Sequence, residues 1–332
     1  MKAVAVPEFG ALPRLMELPR PTPGAGEIRV RLRAAGMNPF DAKIASGALR
    51  GRPHVFPLIL GVDGAGIVDS VGPGVRRFSP GDPVFGQFLH DPVGTGTYCE
   101  YALVPESIGI VGRPPSLSEA EAAALPTAGM TALDALDLLA LGQGATLLVV
   151  GASGGIGSFV LPMARRRGLR ALAVARSGAF ARLGGLGAEE VWDVARPDWT
   201  TSFRAAHPDG IDGILDLMHP AEGFVSLLPL LREGGRGAST VFAARPETSG
   251  RRVTVANVDM RPSAELLDRL VREVTDARIA IPIFRTVSLI DAPAALEEIR
   301  TGHASGKIVI LLDGPTAGTE GPASTAQTYR GP

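Results

Sequence analysis

The sequence predicts an α/β protein, a doubly wound parallel sheet joined to a partly barrelled antiparallel β region. Three observations lead there. An apolar run, Thr146 to Val150, meets a glycine turn, Gly151-Ala-Ser-Gly-Gly-Ile-Gly157, and then apolar positions at helical spacing from Ile156 to Ala164. Strand and helix patterns alternate after that turn, which implies parallel pairing. Before it, short apolar runs sit between closely spaced Gly and Pro, the texture of an antiparallel β domain.

In chain order, Met1 to Val6 reads as a strand, and Glu27 to Arg33 alternates polar and apolar residues as a half-buried strand does. Gly66 to Val71 and Asp82 to Phe85 are further short strands. Ser116-Leu-Ser-Glu119 has capping-box spacing, which predicts a helix from there to Leu125. Thr127 to Leu141 is a second helix. Beyond the strand Arg170 to Ala175, strands are expected at Gly213 to Leu217 and Arg236 to Phe242, with a helix around Glu222 to Arg232 between them. Ser263 to Thr275 is amphipathic. The apolar strands Ile283 to Leu289 and Lys307 to Leu312 flank a helix from Ala292 to Thr301. Residues 314–332 are rich in Gly, Pro, Ser and Thr and read as a disordered tail.

The glycine turn has a chemical reason. A pyrophosphate needs bare backbone N–H groups at a helix N-terminus, where the dipole favours negative charge and a Cβ would hold the anion off. Ala152-x-Gly154-x-x-Gly157 matches the dinucleotide fingerprint with Ala for its first Gly, so Ala152, Ser153, Gly154, Gly155, Ile156 and Gly157 form the expected cradle. An acidic residue ending the second strand would bond a free ribose 2′-hydroxyl, whereas Arg accommodates a 2′-phosphate. That place holds Arg176-Ser177, which favours NADPH over NADH; otherwise Arg176 is a solvated loop charge.

With 332 residues, 45% of them hydrophobic and 20% charged, the chain can pack an ordinary interior of one large or two smaller domains. A formal net charge of −1 without long like-charged blocks argues against nucleic acid or an acidic membrane as the main partner. The single cysteine, Cys99, excludes an internal disulfide and a multi-cysteine zinc lobe, and the five histidines are scattered. No metal site is expected. Nothing resembles a signal peptide or a membrane span, so the expected place is the cytoplasm.

The ordered motifs of the whole chain resemble the medium-chain dehydrogenase/reductase superfamily, in its zinc-independent quinone oxidoreductase and enoyl reductase branch. They are Asn38-Pro-x-Asp41, Pro57-x-x-x-Gly61-x-Asp63-x-Ala65-Gly66, Val71-Gly-x-Gly-Val75, Gly81-Asp-x-Val84-x-Gly86 and Thr97-Tyr-x-Glu-Tyr101. Gly151 to Gly157, Leu186-Gly-Ala188, Gly210-Ile-Asp212, Gly234-Gly-Arg236 and Gly306-Lys-Ile308 continue the series. The resemblance implies a Rossmann domain, 125–260, inserted into a GroES-like catalytic domain made of 1–124 and 261–313, and commonly a homodimer. It also implies hydride transfer from NADPH to a quinone or an α,β-unsaturated carbonyl. Zinc-dependent members place Cys and His where this chain has Asn38 and Asp63. An acceptor that is already electron-poor can be reduced without a Lewis acid.

By the same resemblance Asn38 lies beside the nicotinamide ribose and substrate, with Asp41 and Lys43 following on one loop. Lys43 either donates a hydrogen bond or proton to an enolate or is a surface lysine. Asp63 reads chiefly as structural, among close-packed glycines. Tyr98 either reaches the cleft or packs in a strand. Thr127 contacts nicotinamide or phosphate, or caps a helix, and Phe242 stands at the carboxyl edge of the sheet.

Three departures accompany the resemblance. Phe180 stands where many relatives have a phosphate-pairing Lys, leaving Arg176 largely alone. Pro162 falls inside the dinucleotide helix, where it predicts a kink. Leu217-Met-His-Pro220 replaces a Val-Gly-Gly turn. They keep open a second reading, a redox-neutral biosynthetic enzyme that binds the dinucleotide without net hydride transfer.

Overall fold

The computed structural model describes residues 1–245, 253–302, 304 and 306–312; the expected tail lies outside them. Six parallel strands, Thr146–Val150, Arg170–Ala175, Glu190–Asp193, Ile211–Asp216, Leu231–Ser239 and Thr254–Asn257, build one sheet. Numbered along the chain, their spatial order is 3-2-1-4-5-6, the doubly wound Rossmann arrangement. Pleating explains the apolar run of the first strand. Leu147 and Val149 enter the core shared with the helices Pro126–Leu139 and Gly155–Arg166, while Leu148 and Val150 enter the opposite core with Trp199, Phe203 and Phe224. All four are fully buried, and each such side chain stabilises by about 1.5–3 kcal/mol.

The GroES-like part holds a four-stranded and a seven-stranded sheet. At the centre of the larger one, Glu27–Gly36 pairs antiparallel with Asp63–Val71, Tyr101–Pro105 and the late strand Lys307–Leu311. One sheet thus joins the early strand Glu27–Gly36 to the last described strand. Its final pair is parallel: Ile283–Ser288 lies beside Lys307–Leu311, linked by the crossover helix Ala292–Arg300.

Several boundaries differ from the sequence reading for local reasons. The working capping box is Ser118 with Glu121, two residues later than expected: Ser118 Oγ accepts the Glu121 N–H at 3.2 Å and Glu121 reaches back to the Ser118 N–H at 2.9 Å. That helix, Glu119–Ala124, closes at Leu125, and the next begins on Pro126, where a missing N–H costs nothing. It ends at Leu139 because Ala140 is left-handed at φ 44°. The expected helix to Arg232 stops at Leu227, and a short 3₁₀ turn, Leu228–Leu230, leads straight into a strand. That strand ends at Ser239, because the Ser239 hydroxyl accepts the N–H groups of Val241 and Ala243 and turns the chain. Phe242 therefore lies past it, at φ 60°. The dinucleotide helix continues through Pro162 to Arg166.

Candidate active site

The cofactor turn stands where the sheet reverses direction. The strand Thr146–Val150 has Arg170–Ala175 on one side and Ile211–Asp216 on the other, with Val150 in register with Asp216. Ligands of doubly wound sheets bind in the crevice beyond such a switch point. Gly151 takes φ +81°, which only glycine adopts without cost. A Cβ at Gly157 would lie 2.5 Å from the Ala152 Cα, so this glycine lets the helix close onto the turn. Gly154 and Gly155 are different. A Cβ at Gly154 would meet just the Gly151 carbonyl at 3.5 Å, and one at Gly155 would meet Ala128 and Lys307 at 3.9 Å. These two keep space open above the first-turn N–H groups, which have no partners within the helix. The cradle fits a pyrophosphate.

Two arginines flank it. Arg176 is exposed at the end of the second strand, before the 3₁₀ turn Ser177–Ala179. Arg182, on the helix Phe180–Gly185, was missed in the sequence. Its guanidinium donates to the Ser153 carbonyl at 2.8 Å and to Ser158 Oγ at 3.1 Å. No carboxylate pairs with it among the described residues, and burial pulls its pKa below the usual arginine value. Arg182 places a half-buried cation on the turn itself.

Beside the helix start lies a largely buried polar network drawn from five segments. Asp63 is fully buried and accepts from Asn38 Nδ2 at 2.9 Å, Thr127 Oγ1 at 2.6 Å, the Thr127 N–H at 3.1 Å and Lys307 Nζ at 3.2 Å. Lys307 also donates to Asn38 Oδ1 at 2.7 Å, and Gln87 Nε2 donates to Thr127 Oγ1 at 2.8 Å. Neighbouring Asp41 is equally buried. Its Oδ2 accepts from the Tyr98 hydroxyl and the Asn38 N–H, both at 2.7 Å, while Oδ1 is enclosed without a partner. Burial pushes the Asp41 carboxyl up to about 7 against the lowering effect of those two bonds. The Tyr98 phenol is raised too, by burial and then by Asp41.

Comparison with known proteins places this architecture. Residues 24–114 match the alcohol dehydrogenase GroES-like domain, and residues 186–310 match the family described as zinc-binding dehydrogenase. A quinone oxidoreductase of Mus musculus is 34% identical over 332 residues, covering 94% of this chain and 98% of its own. A chloroplast envelope quinone oxidoreductase homolog of Arabidopsis thaliana is 32% identical over 312 residues, 89% of this chain and 92% of its own. The solved quinone oxidoreductase of Coxiella burnetii superposes with a TM-score of 0.83 at 27% identity, covering 94% and 99% of the two chains. The chain belongs to the medium-chain dehydrogenase/reductase superfamily, in its quinone oxidoreductase and enoyl reductase branch. This family consists of nicotinamide dinucleotide-dependent oxidoreductases.

Within that family the metal question turns on Asn38 and Asp63. At the positions where zinc-dependent members hold Cys and His, these side chains bond each other and share the Lys307 ammonium. An amide, a carboxylate and a resident cation are not a zinc donor set. Among the described residues no cluster of three or more His, Cys, Asp or Glu could hold a metal ion.

Of the residues singled out in the sequence, Asn38, Asp41, Tyr98 and Thr127 meet in one network, and Ala152 to Gly157 form one turn. Lys43 does not join them. The expected loop is a helix, Pro39–Ala45, on which Asp41 points inward and Lys43 is exposed. Phe242 is 60% exposed beyond the sheet edge. Asp63, read as chiefly structural, is the hub. Lys307 and Gln87 escaped notice because each begins or ends a strand far away in sequence; the Gly306-Lys-Ile308 motif was the available signal for Lys307.

Proposed function

We propose that this protein is an NADPH-dependent reductase of quinones or α,β-unsaturated carbonyls. The observation that carries the reading is the open glycine cradle at the sheet's switch point, bordered by a buried network whose cation is a lysine. When bound, the dinucleotide supplies a hydride. The first-turn N–H groups and Arg182 hold its pyrophosphate, and Arg176 takes the 2′-phosphate. Thr127 and Asn38, locked through Asp63 and Lys307, line the reaction cleft and exclude water from it. A conjugated acceptor spreads the developing charge to a remote oxygen, so the chief demand on the protein is to hold two planar molecules at reacting distance.

The test follows cofactor oxidation by purified protein with a simple quinone and an enone. Turnover with NADPH well above that with NADH supports the proposal. NADPH that binds but is consumed by neither acceptor class moves the redox-neutral reading ahead. Arg176→Ala should weaken NADPH at least about tenfold, the scale of one lost charge-assisted contact, and leave NADH little changed. Equal loss of both refutes the 2′-phosphate assignment.

A further inference from the structure

The departure Leu217-Met-His-Pro220 builds a side-chain pair at the crevice. Asp216 ends the strand in register with Val150, immediately before the cofactor turn, and is fully buried. Its Oδ1 accepts the N–H groups of Met218 and His219 at 3.2 and 3.3 Å, and His219 Nδ1 lies 3.0 Å from it. Its Oδ2 is enclosed without a partner. Leu217 and Met218 press on the turn itself: a Cβ at Gly151 would lie 3.4 Å from the Leu217 Cβ and the Met218 sulfur. The His219 ring rests on Gly223, where a Cβ would come within 3.0 Å of three ring and side-chain atoms. The side chain is 26% exposed, and no hydrogen bond engages its Nε2 among the described residues. A buried carboxylate that fixes one imidazole nitrogen beside a cofactor site, with the other left open, is the geometry of an oriented proton donor.

We propose that His219, positioned by Asp216, delivers the proton that completes reduction of the acceptor. The inference rests on the proposed reductase function. Hydride addition brings two electrons to the acceptor and leaves an oxyanion. The Nε2–H bond of the imidazolium then breaks as an O–H bond forms, neutral imidazole remains, and water restores the proton through the exposed ring edge. Asp216 holds the ring through Nδ1 and transfers nothing. Its hydrogen bond raises the His219 pKa against the opposing effect of burial, which keeps the donor protonated to higher pH. Asp216 is the charged group facing the ring. The helix Ala221–Leu227 meets the ring through Gly223, which brings no charge.

Two readouts test this. In the cofactor-free protein, NMR titration should place the His219 ring above ordinary histidine, and Asp216→Asn should bring it down; an unshifted ring in the native protein overturns the proposal. In turnover, native kcat should fall as pH rises through the imidazole's titration. His219→Gln should lower kcat about 100-fold or more, the usual scale of general acid catalysis, with NADPH affinity unchanged and that pH limb gone. A His219→Gln protein with native kcat, or with the limb intact, sinks the assignment. Should Asp216→Asn misfold, His219→Gln decides alone. A native protein that reduces no acceptor fails the function proposed above, a result distinct from a competent His219→Gln enzyme.

Discussion

The cofactor turn and the buried polar network lie side by side and are built on opposite terms. The turn is contiguous, Gly151 to Gly157, and does its work with backbone: its glycines are required by a left-handed φ, a close approach and an open cradle. The network joins Asn38, Asp63, Gln87, Thr127 and Lys307 and works with side chains, all but Thr127 buried. A backbone site tolerates change wherever no Cβ intrudes. A dry charged network tolerates almost none, because each group's partner is another buried group.

Substitutions can break or sharpen this contrast. The largest expected effect is at Lys307, where Lys307→Met removes the cation from a buried Asp63 and should cost about 3–5 kcal/mol in denaturant unfolding. Adding Asp63→Asn should recover part of that loss. Strictly additive losses would show that the pair is not coupled.

Next is the pH response of Asp41. Its carboxyl titrates near 7 when folded, so the folded state binds the proton more tightly than the unfolded chain does. Stability should therefore fall as pH rises from about 4 to about 7 and level off above, by up to about 4 kcal/mol. Asp41→Asn should flatten that slope in urea titrations. An unchanged slope would assign the dependence to other groups.

The smallest expected effect, and the clearest contrast, is at the turn. Gly154→Val should lose about 100-fold in cofactor affinity, about 2.7 kcal/mol, while stability drops by no more than about 1 kcal/mol, since the cradle has room for the side chain. Calorimetry and fluorescence titration measure the two separately. Retained affinity would place the phosphates elsewhere.

Reading the sequence worked where a short window holds the physics. The strand Arg170–Ala175, the turn after Val150 and the helix start at Ser263 each have their cause within a few residues: an apolar run, glycines, a capping serine. It failed where a boundary answers to a distant partner. The strand after Leu230 begins early because it pairs with Ile211–Asp216, and the short strand Glu190–Asp193 exists as the neighbour of Arg170–Ala175. Arg182 belongs to no motif in the sequence, and its contact with the Ser153 carbonyl exists only once the helix carrying it packs there.

By itself, then, the sequence determined the fold class, the glycine turn after Val150 and the Asn38 and Asp63 substitutions at the metal positions, because glycine geometry, alternation and donor chemistry are properties of local residues. Tertiary structure alone decided that Lys307 and Asn38, 269 residues apart, share a hydrogen bond, that Asp41 is sealed with Tyr98, and that His219 has a buried carboxylate behind it at the crevice. The physical reason is desolvation. A side chain's charge, partners and pKa are set by what surrounds it once water has gone, and in this protein those surroundings come from strands that meet after folding.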